Sequence, residues 1–369
     1  MDTRPAADLE SICASFAVEG RWISTCPIPS GHINDTYCSR FEAGGGIVQY
    51  VNQRINHHVF REPELLMANI ERVTRFARQC IVAAGGDPDR ETLTIVPTRE
   101  ERSYLRTPEG TYWRMFRFIN GARTYDRVED VRHVYAASKA FGGFQKMLAQ
   151  LPGGRLHETI PDFHHTRKRY DAFLASVEFD PRGRAAAVKP EIDFILAREK
   201  DTGVVVEGLA SGRIPERVTH NDTKLNNVMI DDRTGAGVCV IDLDTVMPGS
   251  VLYDFGDSVR LGAATAAEDE PDLAKVGFDL GLFDRLAAGY LDAARDFLVP
   301  AETELLVFAA RLLTLECGMR FLTDHLKGDV YFKIHRPGHN LDRARTQFKL
   351  VAEMERQESA MDAVVRKYL

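Results

Sequence analysis

The sequence predicts an α+β chain with a small N-terminal lobe, built from an antiparallel sheet and one long helix, and a larger, mainly helical C-terminal lobe. Three observations predict it. Residues 21–52 hold three short alternating runs separated by turn residues, residues 62–84 hold one long amphipathic run, and beyond residue 120 apolar residues recur at helical spacing.

In order, residues 6–18 place Leu9, Ile12, Cys13, Phe16 and Ala17 on one face of a short leading helix. Strands are expected at Arg21 to Cys26, Thr36 to Phe41 and Ile47 to Asn52, the last two joined by the Gly44-Gly45-Gly46 turn. A helix from about Glu62 to Ala84 would bury Leu66, Ile70, Val73, Phe76 and Cys80. Two more strands, Thr92 to Val96 and Thr111 to Phe118, complete five. Phe118-Ile119-Asn120-Gly121 then runs from apolar strand into polar chain, which places a hinge there and divides the protein into 1–119 and 120–369. Helices follow at Val131 to Leu148, Phe163 to Leu174, Leu282 to Phe297 and Glu302 to Leu326.

With 369 residues the chain is long enough for two such lobes. Its formal charge of -7 and pI near 5.9 argue against a nucleic-acid or anionic-membrane surface and favour a small-molecule partner. Six scattered cysteines form no C-x-x-C pair and no zinc-type spacing, so they are expected to stay reduced. No stretch approaches 18 apolar residues, and a cytoplasmic monomer is the default expectation.

The chemistry is concentrated between residues 220 and 244. His220-Asn221-Asp222-Thr223-Lys224-Leu225-Asn226-Asn227 has the spacing H-x-D-x-x-x-x-N, and after one apolar run comes Ile241-Asp242-Leu243-Asp244. A lone aspartate in a loop is usually a cap or turn residue. H-x-D-x-x-x-x-N alone arises by chance in only roughly one chain in a hundred of this length, and the following I-D-x-D makes chance less frequent still. The whole pattern is what transfer of a phosphoryl group from ATP requires: Asp222 orients an acceptor hydroxyl and takes its proton, while Asn227 and Asp242 offer hard oxygens to Mg²⁺. Adenine is expected beside Phe118 and Ile119.

A sheet-and-helix lobe hinged to a helical lobe bearing these motifs resembles the aminoglycoside phosphotransferase and choline kinase superfamily, which has a protein-kinase-like two-lobe fold. Gly31-His32-Ile33-Asn34, the run 218–227, the run 241–260 and Glu316-Cys317-Gly318-Met319-Arg320-Phe321 narrow the resemblance to the bacterial N-acetylhexosamine 1-kinases. The resemblance implies transfer of the γ-phosphate of ATP to the anomeric hydroxyl of N-acetylglucosamine or N-acetylgalactosamine. It implies that Gly31, His32 and Asn34 lie in a loop over the reacting groups, with His32 touching phosphate or sugar, and that Arg320 lines the sugar pocket. Asp254, although followed by Phe255-Gly256, would brace the catalytic loop rather than bind metal, and Asp257 would lie on a helix face.

One departure stands out against the superfamily. Residues 1–138 contain no lysine, whereas most relatives hold the α- and β-phosphates with a lysine on the third strand. Gln49 stands near that place, and a neutral amide brings no charge. Mg²⁺, the amides of residues 31–34 or a nearby arginine would have to do more.

Blander readings compete at several positions. Residues 31–35 could be a polar hairpin, and Arg320 a helix-face arginine paired with Asp324. Glu268-Asp269-Glu270 with Asp272 reads as a solvated loop before a pocket for a cationic acceptor. His57-His58 and His164-His165 read as exposed or capping residues. Two further functions remain open from sequence: a kinase of this fold with another acceptor (an aminoglycoside, choline, homoserine or other sugar), or a non-catalytic nucleotide- or sugar-binding pseudokinase.

Overall fold

The computed structural model describes residues 6–29 and 33–369. Gly31 and His32 lie outside the described residues. The chain divides into two units: residues 1–122, 151–161 and 238–247 form the first, and residues 123–150, 162–237 and 248–369 the second.

The first unit is built on five antiparallel strands, β1 (Arg21–Pro27), β2 (Asp35–Ala43), β3 (Gly46–Ile55), β4 (Leu105–Arg106) and β5 (Tyr112–Arg117), ordered β1-β2-β3-β5-β4. Ala43 pairs with Gly46, so the β2–β3 hairpin turns on Gly44 and Gly45 alone. Both have positive φ (57° and 78°), which the twist of a two-residue turn requires. The fifth strand is Leu105–Arg106, and not Thr92 to Val96 as the pattern suggested. That segment does run along β5, with Val96 N–H donating to Met115 O and Arg117 N–H to Thr94 O. It stops after Val96: Pro97 faces away from β5, its O accepting from Ala17 N–H, and the next donor in register, Thr98 N–H, turns to Arg102 O. Phe16, Phe41, Tyr50, Val96, Trp113 and Met115 fill the core of this unit.

Helix α1 (Ala6–Ala14) precedes the sheet, and α2 (Pro63–Ala83) starts with proline at its first turn, where no N–H is needed. Its buried stripe runs Leu66, Ile70, Val73, Ala77, Ile81. The expected Phe76 and Cys80 are only half-buried, because a 3.6-residue period carries the stripe to the next position by the last turns. Asn69 on the same helix is fully buried. Its amide donates to His157 O and Val246 O, and its oxygen accepts from His157 N–H. That one side chain ties both later segments, 151–161 and 238–247, to the first unit.

The second unit is helical: α3 (Val131–Leu148), α4 (Thr166–Phe179), α5 (Lys189–Leu196), α6 (Val204–Ala210), α7 (Val251–Gly262), α8 (Leu280–Ala294), α9 (Pro300–Thr303), α10 (Leu306–Lys327), α11 (His339–Arg356) and α12 (Glu358–Tyr368). Helices α3 and α8 approach closely enough that a Cβ on Gly289 would lie 2.2 Å from Tyr135 O. The run expected as one helix from Glu302 to Leu326 is two, since Pro300 opens a separate turn whose Glu302 accepts from Val299 N–H and from Arg217. One apolar cluster gathers Leu252, Phe255 and Val259 with Phe283, Tyr290 and Met354; a second gathers Tyr170, Phe173, Met319, Leu322 and Phe348. Helix α7 is buried on nearly every side, so its Asp254, Asp257 and Arg260 must find partners inside the protein.

All six cysteines are free thiols. Among the described residues no helix is long and apolar enough to cross a membrane.

Candidate active site

Strand Arg217–Thr219 delivers the chain to His220, whose ring is fully buried edge-on to Phe141 and Phe144. Asn221 then turns in the left-handed region at φ 63°, a conformation asparagine tolerates at modest cost. This bend is held from α7. The Asp254 carboxylate accepts from His220 N–H at 2.8 Å, from Asn221 N–H at 2.6 Å and from the Gln145 amide at 2.6 Å, and Asp254 O accepts from Thr223 Oγ1. Asp257 accepts from Thr223 N–H and from Arg260, which also pairs with Glu268. Asp254 therefore braces the loop as the resemblance implied. Asp257 does lie on a helix, α7, and is buried there as a second brace.

The bend presents Asp222 with its side chain about one-quarter exposed. Lys224 Nζ lies 2.8 Å from Oδ1 and 3.0 Å from Oδ2. The Asn227 amide nitrogen donates to Asp222 O at 2.8 Å and to Oδ2 at 3.2 Å. Burial works against ionisation of Asp222, but Lys224, and behind it His220 and Arg260, outweigh it and hold the carboxyl below its ordinary value. Lys224 is held above its own ordinary value by the same pairing, again against burial. The carboxylate is thus anionic and able to accept a proton at neutral pH. Removing the lysine removes the main stabilising charge. Lys224→Ala is expected to move the acid limb of kcat/KM upward, because that limb reports the essential base in the free enzyme. An unmoved limb in a pH–rate profile would show that Asp222 does not control it.

Because Asn227 turns its amide nitrogen toward Asp222, its carbonyl oxygen is the atom left to face a cation, and amide oxygen is a hard donor suited to Mg²⁺.

In the first unit, Asp242 sits at φ 58°, at the start of the single turn Leu243–Thr245, and is exposed. Asp244 two residues on is the opposite case, at 3% exposed. It forms an ion pair with Arg114 of β5, which is 1% exposed, accepts from the Asn34 amide at 2.5 Å, and its backbone oxygen accepts from Thr159 Oγ1. Arg114 also donates to Gln53, and the Asn34 oxygen accepts from Asn56 N–H. Asn34 is thereby built into the frame around the Asp242 turn. A buried arginine stands in a unit without lysine, and its charge is matched to Asp244. Among the described residues there is no cluster of three or more histidine, cysteine, aspartate or glutamate side chains shaped for a metal. Asn227 and Asp242 fit Mg²⁺ by donor type, since that ion is commonly held by one or two carboxylates with water and phosphate oxygens rather than by a protein cage.

Gln49 lies on β3 opposite Arg40, with its amide nitrogen 3.5 Å from Cys38 Sγ, and its backbone oxygen accepts from Phe118 N–H. Gln49 and Phe118 are thus neighbours, and Ile119 beyond them is buried. Arg320 on α10 is not paired with Asp324. Its guanidinium lies 5.4 Å from the Phe163 ring and 5.5 Å from the Phe332 ring, while the Asp324 carboxylate accepts from the backbone of Val330, Tyr331 and Phe332.

His164, expected to be exposed or capping, is buried. It bonds Glu316 at 2.8 Å through Nδ1 and Asn221 O at 3.1 Å through Nε2, while His165 accepts from Lys168 N–H at the start of α4. Burial disfavours charge on His164, but Glu316 outweighs it and holds the imidazole above its ordinary value; Glu316 is correspondingly held below its own. In the acidic run at 268–272, Glu268 contacts Arg260, Asp269 contacts His339, and Glu270 and Asp272 share Lys275.

Residues 24–296 match the model of the APH phosphotransferase enzyme family. The chain belongs to that family. Among solved structures, an aminoglycoside phosphotransferase from Alicyclobacillus acidocaldarius is 12% identical, with TM-score 0.59 and coverage of 100% of this chain and 97% of that one. A spectinomycin phosphotransferase in complex with ADP and spectinomycin is 12% identical, with TM-score 0.58 and coverage of 96% and 98%. A choline kinase from Cryptosporidium parvum is 13% identical, with TM-score 0.55 and coverage of 98% and 99%. At these identities the likeness is one of fold. The chain is thus an α+β protein of the phosphotransferase family, with the fold these solved structures share.

Proposed function

We propose that this phosphotransferase moves the γ-phosphoryl group of ATP to the anomeric hydroxyl of an N-acetylhexosamine, N-acetylglucosamine or N-acetylgalactosamine, giving the sugar 1-phosphate and ADP. The observation that carries the reading is the Asp222 carboxylate, paired with Lys224 and hydrogen-bonded by Asn227 on a loop braced by Asp254 and Asp257. It accepts the hydroxyl proton as the sugar oxygen bonds to phosphorus and the bond to the ADP oxygen breaks.

We assign Asn227 and Asp242 to Mg²⁺, which when bound neutralises charge on the phosphates. Gly31, His32, Asn34, Gln49, Phe118 and Ile119 are assigned to the nucleotide, and His32 and Arg320 to the sugar. The sugar rests on the motifs at 31–34, 218–227, 241–260 and 316–321. A cationic acceptor such as choline or an aminoglycoside is disfavoured by Arg320 and by the basic side chains set against the acidic run at 268–272.

ADP release measured against N-acetylglucosamine, N-acetylgalactosamine, glucose, choline and kanamycin tests it. Turnover stimulated by the N-acetylhexosamines is expected; stimulation by the amines alone would assign another acceptor. ATP and a small sugar are the only partners this requires.

A further inference from the structure

Beside the loop that carries Asp222, the second unit holds two guanidinium groups that no carboxylate pairs with directly. Arg169 of α4 donates from Nη2 to Phe163 O at 2.9 Å, and its Nε is buried with no hydrogen-bond partner. Arg320 of α10 packs on the ring of the same Phe163 and on Phe332. Neither forms an ion pair among the described residues. The nearby acids are taken: Glu316 binds His164 and Thr166 through its two oxygens, and Asp162 binds Lys168. Glu316 and Asp162 therefore act on the two arginines only from a distance, and neither guanidinium has a carboxylate of its own.

Placing two like charges side by side, partly out of water, is costly unless a counter-charge arrives. Burial, followed by the charge of Arg320, holds the Arg169 guanidinium below its ordinary value, which registers that cost. The surroundings are built rather than loose. Asp324 fixes the backbone of residues 330–332 with three N–H bonds, which leaves the Tyr331 ring about two-thirds exposed and sets Phe332 against Arg320 and Phe321. Flat aromatic faces suit a sugar ring, and paired arginine forks suit an oxyanion. His164 connects this cluster directly to Asn221 O, one residue before the base.

We propose that Arg169 and Arg320 form a subsite for an anionic substituent, a carboxylate, sulfate or phosphate, on the edge of the acceptor sugar remote from the reacting hydroxyl. This rests on the reading of Asp222 as the base for that hydroxyl. An N-acetylhexosamine carrying such a substituent is then bound more tightly than the unsubstituted sugar, which remains an acceptor.

The test is calorimetric binding of N-acetylglucosamine, its 6-sulfate, its 6-phosphate and its 6-carboxylate to the full chain. The charged sugars are expected to bind about tenfold more tightly than the neutral one, the preference weakening as salt is added. Preference for one charged sugar over the others identifies the substituent. In Arg169→Gln the ratio is expected to collapse toward one, and in Arg169→Lys to fall part way, with the nucleotide-induced rise in Tm reporting that each variant is folded. Equal binding of charged and neutral sugars by the native chain, no binding of any charged sugar, or a ratio that survives Arg169→Gln overturns the proposal. ADP release with the same sugars separates the two readings. Charge preference without sugar-dependent ADP release leaves the subsite and removes the kinase assignment, whereas turnover of the neutral sugar without charge preference does the reverse.

Discussion

Asp222→Asn is expected to lower turnover by roughly 10²- to 10⁴-fold, the range for loss of a positioned base, while nucleotide binding persists. The amide keeps the shape of the carboxylate, so the loop held by Asp254 and Asp257 stays in place. What disappears is the proton acceptor and the negative charge facing Lys224. Lys224 is more than one-third exposed on its side chain and can turn to water, which keeps the cost in stability small. Stopped-flow or steady-state kinetics with saturating ATP, together with nucleotide titration, separates the two effects. Turnover within a few-fold of the native protein would mean that Asp222 is not the base.

Arg114→Met is expected to give the largest loss of stability. Arg114 and Asp244 are both almost wholly buried, and removing one member of such a pair leaves a charge in the interior with only the Asn34 amide and water to solvate it. Breaking a buried pair in this way costs about 3–5 kcal/mol, which lowers Tm by roughly 6–20 °C for a domain of ordinary size. Asp244→Asn in the Arg114→Met background is expected to recover much of the loss, because it removes the stranded charge. Thermal unfolding of the two single variants and the double variant forms the cycle. Additive losses would show that the pair is not coupled. The same bond frames the turn bearing Asp242, so metal-dependent nucleotide affinity is expected to weaken in Arg114→Met as well.

Sequence spacing was enough to find what is local. The β2–β3 hairpin is written in Gly44-Gly45, α2 and α3 in their apolar period, and the braced loop that carries Asp222 in the run from His220 to Asn227. The role of Asp254 was also legible, through the resemblance. Partners far apart in sequence were not. Arg114 and Asp244 are separated by 130 residues, and no local period links them. A signal existed nonetheless, since Arg114 interrupts the apolar strand Tyr112–Arg117 and Asp244 the apolar run 240–247, and lone charges in buried runs must find each other. His164 with Glu316 follows the same logic across 152 residues. The strand expected at Thr92 to Val96 failed for the opposite reason: its residues suit a strand, but Thr98 N–H turns to Arg102 O and the pairing with β5 ends at Val96. The burial of α7, which makes Asp257 a brace for the loop, depends on packing by α8 and α10 that no single stretch of sequence displays.

The most direct test of the central claim is the identity of the product formed from ATP and N-acetylglucosamine, read by ³¹P and proton magnetic resonance. The account predicts a phosphate coupled to the anomeric proton, with one ADP released for each sugar phosphorylated. A phosphate on any other oxygen, or no sugar-dependent product at all, would contradict it.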